Sequence, residues 1–158
     1  MTQDWDFADR AETRPYLVME FFPGVSLFGH LKQHGPLGVA DFLAVARQVA
    51  EAMKVAHASN VLHRDLKPSN ILVTENGGKA VPKVIDFGIA KATQGRLSDA
   101  TVHTAFEQFI GTPAYMSPEQ VQFVRNDPRS DLFALGVTLW EMLTGKRLFV
   151  GESDFETL

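Results

Sequence analysis

The sequence predicts an α+β fold, and three stretches carry that prediction. Residues 71–74 (ILVT) and 82–87 (PKVIDF) are short β-like runs on either side of ENGG, a pattern that closes an antiparallel hairpin. From Asp41 to about Ser59, apolar residues recur at spacings of three and four, as on one face of a helix. Asp131 through Thr144 is apolar nearly all round and stops at Gly145, as a deeply buried helix does.

Taken in order, PYLVMEFF (15–22) is an apolar run after a polar turn and reads as a strand, with Pro15 suited to its start. WDFA (5–8) is its candidate antiparallel neighbour. PGVS breaks the pattern, and Ser26 is placed to cap a short helix, LFGHLKQH, which GPLG ends. In the helix that follows, Phe42, Ala46, Val49, Ala50, Met53 and His57 form the stripe expected to face the core. Asp41 near its start suits the helix dipole, and His57 is expected as a structural histidine rather than a ligand. Lys91 to Ile110 is polar and threonine-rich and reads as a long loop. SPEQVQFV starts a short helix with Ser117 as cap and Pro118 in the first turn.

A chain of 158 residues suits one domain with a real core. A net charge of −4 argues against binding nucleic acid. The absence of cysteine excludes disulfides, thiol catalysis and cysteine-ligated zinc. LFALGVTLW (132–140), the longest strongly apolar run, is too short to span a bilayer, and the acidic N-terminus is no signal peptide. The expected setting is cytoplasmic.

The chemistry gathers in HRDLKPSN (63–70). Asp65 and Asn70 lie on a loop between the long helix and the hairpin; Asp86 lies at the hairpin's far end. A hairpin joins the start of one strand to the end of the other, so Asn70 and Asp86 converge. A carboxylate and an amide oxygen make a hard-cation site of the kind Mg²⁺ shares with phosphate oxygens and water. Lys67 is placed to neutralise a phosphate, leaving Asp65 to orient a hydroxyl nucleophile; these are the parts of a phosphoryl-transfer site. The alternative is a solvated, capped turn, since Asp and Asn are common turn residues. HxDxKxxN arises by chance about once in 10⁵ positions. DFG (86–88) and GTPAYMSPE (111–119) follow it in order.

With those three motifs in order, the chain resembles a eukaryotic-like (Hanks-type) Ser/Thr protein kinase of the bacterial branch. The resemblance implies a partial protein-kinase-like α+β fold: residues 1–22 hold a remnant of the small lobe and hinge, and 23–158 the large lobe through the helix at 131–144. It implies ATP and Mg²⁺ as cofactors and a protein with a Ser or Thr acceptor as substrate, in signalling. It implies Asp65 as the catalytic aspartate, Lys67 beside the transferring phosphate, and Asn70 and Asp86 as metal ligands. Met19 resembles the gatekeeper, Glu20 and Phe22 the hinge, and Leu72 the floor under adenine. Thr112 would help set the site for the acceptor hydroxyl, and Arg64 would meet a phosphate on the activation segment. His63, Phe87 and Gly88 belong to the packing behind the site, Glu119 to a pair with an arginine, and Asp131 to the anchor of the catalytic loop. A helix N-cap is the simpler role for Asp131. Small-molecule kinases of the aminoglycoside type share HxD…N…D, but Lys67 and GTPAYMSPE argue for a protein substrate.

The resemblance has departures. Only 14 residues precede PYLVMEFF, with no glycine and no lysine among them, so the glycine-rich loop and the ATP-clamping lysine of the family have no counterpart in this stretch. The family's commonest activation-loop phosphosite falls on Gln108, with Glu107 beside it as a weaker charge, and Thr101, Thr104 and Ser98 farther out. The alternative expectation is therefore a catalytically inactive fragment or a pseudokinase-like interaction module.

Overall fold

A computed structural model of the chain describes residues 18, 20–87, 113–122 and 127–157, and the account that follows concerns these. The readings of WDFA, of the loop 91–110, and of Met19, Gly88 and Thr112 lie outside them.

Among the described residues the order is β1 (Val25–Ser26), α1 (Leu27–His34), α2 (Val39–Ala58), a 3₁₀ turn (Pro68–Asn70), β2 (Ile71–Asn76), β3 (Lys79–Val84), a second 3₁₀ turn (Pro113–Tyr115), α3 (Pro118–Val121), α4 (Pro128–Thr144) and α5 (Asp154–Thr157). The sheet is antiparallel with strand order β1-β2-β3. The hairpin turns on Gly77 and Gly78, both at positive φ (58° and 74°), the conformation its tight two-residue connection demands. Among the described residues β3 is an edge strand, which is where Pro82, opposite Val73, is tolerated.

The caps follow sequence chemistry. Ser26 Oγ accepts from Gly29 N at 3.1 Å at the start of α1. Ser117 and Gln120 form a reciprocal capping box on α3. α4 ends at Gly145, whose φ of 68° is left-handed.

Several expectations are corrected. Of PYLVMEFF, Val18 and Glu20–Phe22 are described and are in no strand, while residues 15–17 and 19 lie outside the described residues. The second hairpin strand ends at Val84, so Asp86 and Phe87 lie beyond it. α4 begins at Pro128, capped by Asp127, whose carboxylate accepts from Arg129 N; Asp131 is therefore not the N-cap but lies inside the first turn. Nor is α4 buried all round, since Leu132, Trp140 and Leu143 are exposed. In α2 the core stripe is Val45, Val49 and Met53, while Ala50 faces solvent.

The core joins Leu27 and Leu31 of α1, the α2 stripe, Ile71 of β2, and Ala134, Leu135 and Met142 of α4. Leu66, wholly buried, inserts the loop 61–70 into it. The loop thus rests on a packed base between α2, α4 and the hairpin.

Candidate functional site

Asp131 holds the loop from below. Its side chain is 2% exposed, and its carboxylate takes three bonds. Oδ1 accepts from Arg64 N at 2.8 Å; Oδ2 accepts from His63 N at 2.9 Å and pairs with His57 Nε2 at 2.8 Å. Hydrogen bonds to an ionised acceptor are roughly twice as strong as neutral ones. They hold Arg64 at φ 65°, a left-handed conformation that costs a non-glycine residue about 1–2 kcal/mol. His57, half-buried, thus has Asp131 as its partner.

His63 fixes the loop from behind. It is fully buried, with Nε2 2.9 Å from Ile85 O, and Asp65 N donates to its Nδ1 at 3.3 Å. Nδ1 is then the acceptor and Nε2 carries the proton. Burial pushes its pKa below the ordinary value, favouring the neutral ring this arrangement requires. The ring packs against Phe87 with centroids 4.7 Å apart.

On the open side, the Asp65 carboxylate pairs with Lys67 Nζ at 2.9 Å and accepts from Asn70 Nδ2 at 3.3 Å. The same amide nitrogen donates to Asp65 O at 2.8 Å. With Nδ2 committed to Asp65, Oδ1 is the acceptor Asn70 presents elsewhere. Ile85 N donates to Asn70 O at 2.9 Å, bringing the residue before Asp86 against Asn70. Asp86 follows at φ 57° and is exposed. The structure therefore brings Asp65, Lys67 and Asn70 into direct contact and ties the Asp86 segment to them through one backbone bond.

Glu20 pairs with Lys83 of β3, and the Lys83 ammonium lies 5.4 Å from the Phe22 ring centroid. Leu72 is opposite Lys83 in the ladder, so Lys83 links Glu20 and Phe22 to the hairpin that carries Leu72. Glu119 accepts from Ser130 Oγ at 2.6 Å, a bond that holds its carboxyl below the usual range. Gln120 Nε2 donates to Arg64 O at 3.0 Å, joining α3 to the loop, and the buried Arg64 Nε has no hydrogen-bond partner among the described residues. Tyr115 donates to the buried Glu141; burial and that bond push its phenol up.

His57, Lys83, Ile85 and Gln120 were not readable as site residues. His57 and Asp131 are 74 positions apart, and no local pattern announces such a pair.

The loop thus groups Asp65, Lys67 and Asn70 over the buried Asp131 carboxylate, with Phe87 packed behind it on His63. Residues 5–157 match the protein kinase domain, and the chain belongs to that family. It is 41% identical over 143 residues to the protein named "Probable serine/threonine-protein kinase PknB" of Bifidobacterium longum, covering 90% of this chain and 20% of that one. It is 38% identical over 142 residues to serine/threonine-protein kinase PkaA of Streptomyces coelicolor, covering 90% of this chain and 25% of the relative. The chain thus spans a fifth to a quarter of the length of these relatives. Among solved structures, Rad53 1-466 in complex with AMP-PNP matches with a TM-score of 0.67 and 29% identity, over 88% of this chain and 32% of that chain. The fold is accordingly the α+β protein kinase fold, in part. No helix among the described residues is long and apolar enough to cross a membrane.

Proposed function

We propose that this chain carries the catalytic loop and nucleotide-facing part of a serine/threonine protein kinase, which transfers the γ-phosphoryl group of ATP to a Ser or Thr hydroxyl of a protein. Within it, residues 1–22 correspond to the hinge side and 23–158 to the large lobe. The observation that carries the reading is the contact of Asp65 with both Lys67 and Asn70, on a loop immobilised by Asp131.

Asp65 accepts the acceptor hydroxyl's proton. Lys67, 2.9 Å from that carboxylate, balances charge on the transferring group. Catalysis of this kind is mostly positioning and electrostatic stabilisation, and the bonds from Asp131 and His63 keep the loop from shifting. The adenine side falls to Met19, Glu20, Phe22 and Leu72, and the acceptor side to Thr112.

Mg²⁺ fits the donors present. Asn70 Oδ1 and the Asp86 carboxylate are two hard oxygen donors, the small protein share Mg²⁺ takes when phosphates and water supply the rest. When bound, the ion neutralises phosphate charge. Arg64, with its buried Nε, is the group to meet an anion on the activation segment, from a phosphate or from Glu107.

The test is phosphate transfer from radiolabelled ATP to casein, with Asp65→Asn as control. Transfer should depend on Mg²⁺ and fall by at least 10²-fold in D65N, the scale of a general base. Equal transfer by both forms would sink the reading. Nucleotide binding is measured separately: Mg²⁺ with AMP-PNP should raise the melting temperature of the wild type and raise it less in Asp86→Asn.

A further inference from the structure

Outside this site, α1 carries a second chemically distinctive pair. His30 and His34 occupy positions i and i+4 of the helix, and their rings lie with centroids 4.8 Å apart at an interplanar angle of 42°. Residues four apart sit over one another on a helix surface. Leu27 and Leu31 anchor the helix in the core, so the spacing of the two rings is set by a fixed backbone. His30 is half-buried, which limits its rotamers, and His34 is exposed.

The spacing can be compared with chelation. An imidazole nitrogen binds a first-row divalent ion at about 2.0–2.1 Å. The ring centroid lies roughly 1.1–1.2 Å beyond the nitrogen, hence about 3.2 Å from the ion. Two rings on one ion then have centroids about 4.5 Å apart at a right angle and about 5.2 Å apart at the tetrahedral angle. The observed 4.8 Å falls between these limits. His34 also lies in the last turn of α1, whose C-terminal end carries the negative pole of the helix dipole and favours a cation.

We propose that His30 and His34 form a bidentate site for a borderline divalent transition-metal ion, with Cu²⁺, Ni²⁺ and Zn²⁺ as the class and water completing the coordination. Imidazole suits these ions, whereas Mg²⁺ requires oxygen. The site is therefore chemically separate from the Asn70–Asp86 donors. Bridging one helical turn, the ion stabilises α1 and, through Leu27 and Leu31, its seat on the core.

The test uses Cu²⁺ alone, without nucleotide, on the whole chain, so its outcome does not depend on kinase activity. Paramagnetic resonance of one equivalent of bound Cu²⁺ should show coupling to two imidazole nitrogens. H34A should lose the second nitrogen and bind at least about 10–100-fold more weakly, the loss an outer-sphere partner alone can cause. H34A should melt at the wild-type temperature without metal, and Ni²⁺ should raise the melting temperature of the wild type only. H103A serves as control, and its Cu²⁺ spectrum and affinity should match the wild type. Coupling to no more than one nitrogen, equal affinity in H34A, or loss in H103A instead would overturn the proposal.

Discussion

Replacing Asp131 by alanine removes the acceptor of three hydrogen bonds, from His57 Nε2, His63 N and Arg64 N. At roughly 1.5–3 kcal/mol for each bond to a charged group, the gross loss is about 4.5–9 kcal/mol. Water entering the vacated volume re-satisfies part of this, and Arg64 relaxes from its left-handed conformation, recovering about 1–2 kcal/mol. The net cost should be about 3–5 kcal/mol, the scale of breaking a buried pair from one side. With a urea m-value near 2 kcal/mol/M, the midpoint falls by about 2 M. Asp131→Asn keeps one acceptor oxygen but turns an N–H toward a backbone donor, and should cost about 2–3 kcal/mol. Amide hydrogen exchange at His63 and Arg64 should accelerate in both variants. A D131A protein within about 1 kcal/mol of the wild type, or unchanged exchange at those two amides, would refute the view that this carboxylate immobilises the loop.

The burial of His63 predicts a pH dependence. Its pKa is depressed in the folded chain, so below about pH 6.5 the unfolded chain takes up a proton that the folded one resists. Stability is therefore lost as pH falls from that value toward the folded pKa, by at most about 1.4 kcal/mol per pH unit for this group. His63→Gln, which keeps a donor for Ile85 O, should remove that component; parallel stability curves for the two proteins would count against it. Among glycines, Gly78→Ala meets no atom within 4 Å and should cost only the backbone strain, about 1–2 kcal/mol. Gly145→Ala combines φ 68° with a Cβ placed 3.2 Å from Pro36 Cδ, so its thermal melt should fall further. Equal melts would show that the Pro36 contact yields without cost.

Much of the fold was readable because its signals are local. ENGG, Ser26, Ser117–Pro118 and Gly145 each impose a turn or a cap on their own neighbours, and each marks an element boundary. The errors lie where distant packing decides. The α2 stripe runs through Val45 rather than Ala50 because α2 must meet β3 and α4 together, a demand no single-helix pattern contains. Leu66 sits in a loop without periodicity, yet it is fully buried. Asp127, just before Pro128, was the stronger cap signal at α4, while Asp131 turns its carboxylate to the loop instead. Asp65, Lys67, Asn70 and Asp86 stood out as a motif, but the bonds from His57, Ile85 and Gln120 that hold the loop in shape span 22 to 74 positions.

The β2–β3 hairpin has two ends with opposite tolerances. At its open end the ladder continues from Ile71 opposite Val84 to the bond between Ile85 N and Asn70 O, so a one-residue slip there would carry Asp86 away from Asn70. At the tip, a Cβ placed on Gly77 or Gly78 would meet none of the described residues within 4 Å. Six rungs of the ladder insulate one end from the other. A reporter peptide or a small domain spliced between the two glycines would be carried on the outside of the protein, and the same tip is the natural place to open the chain for a circular permutation.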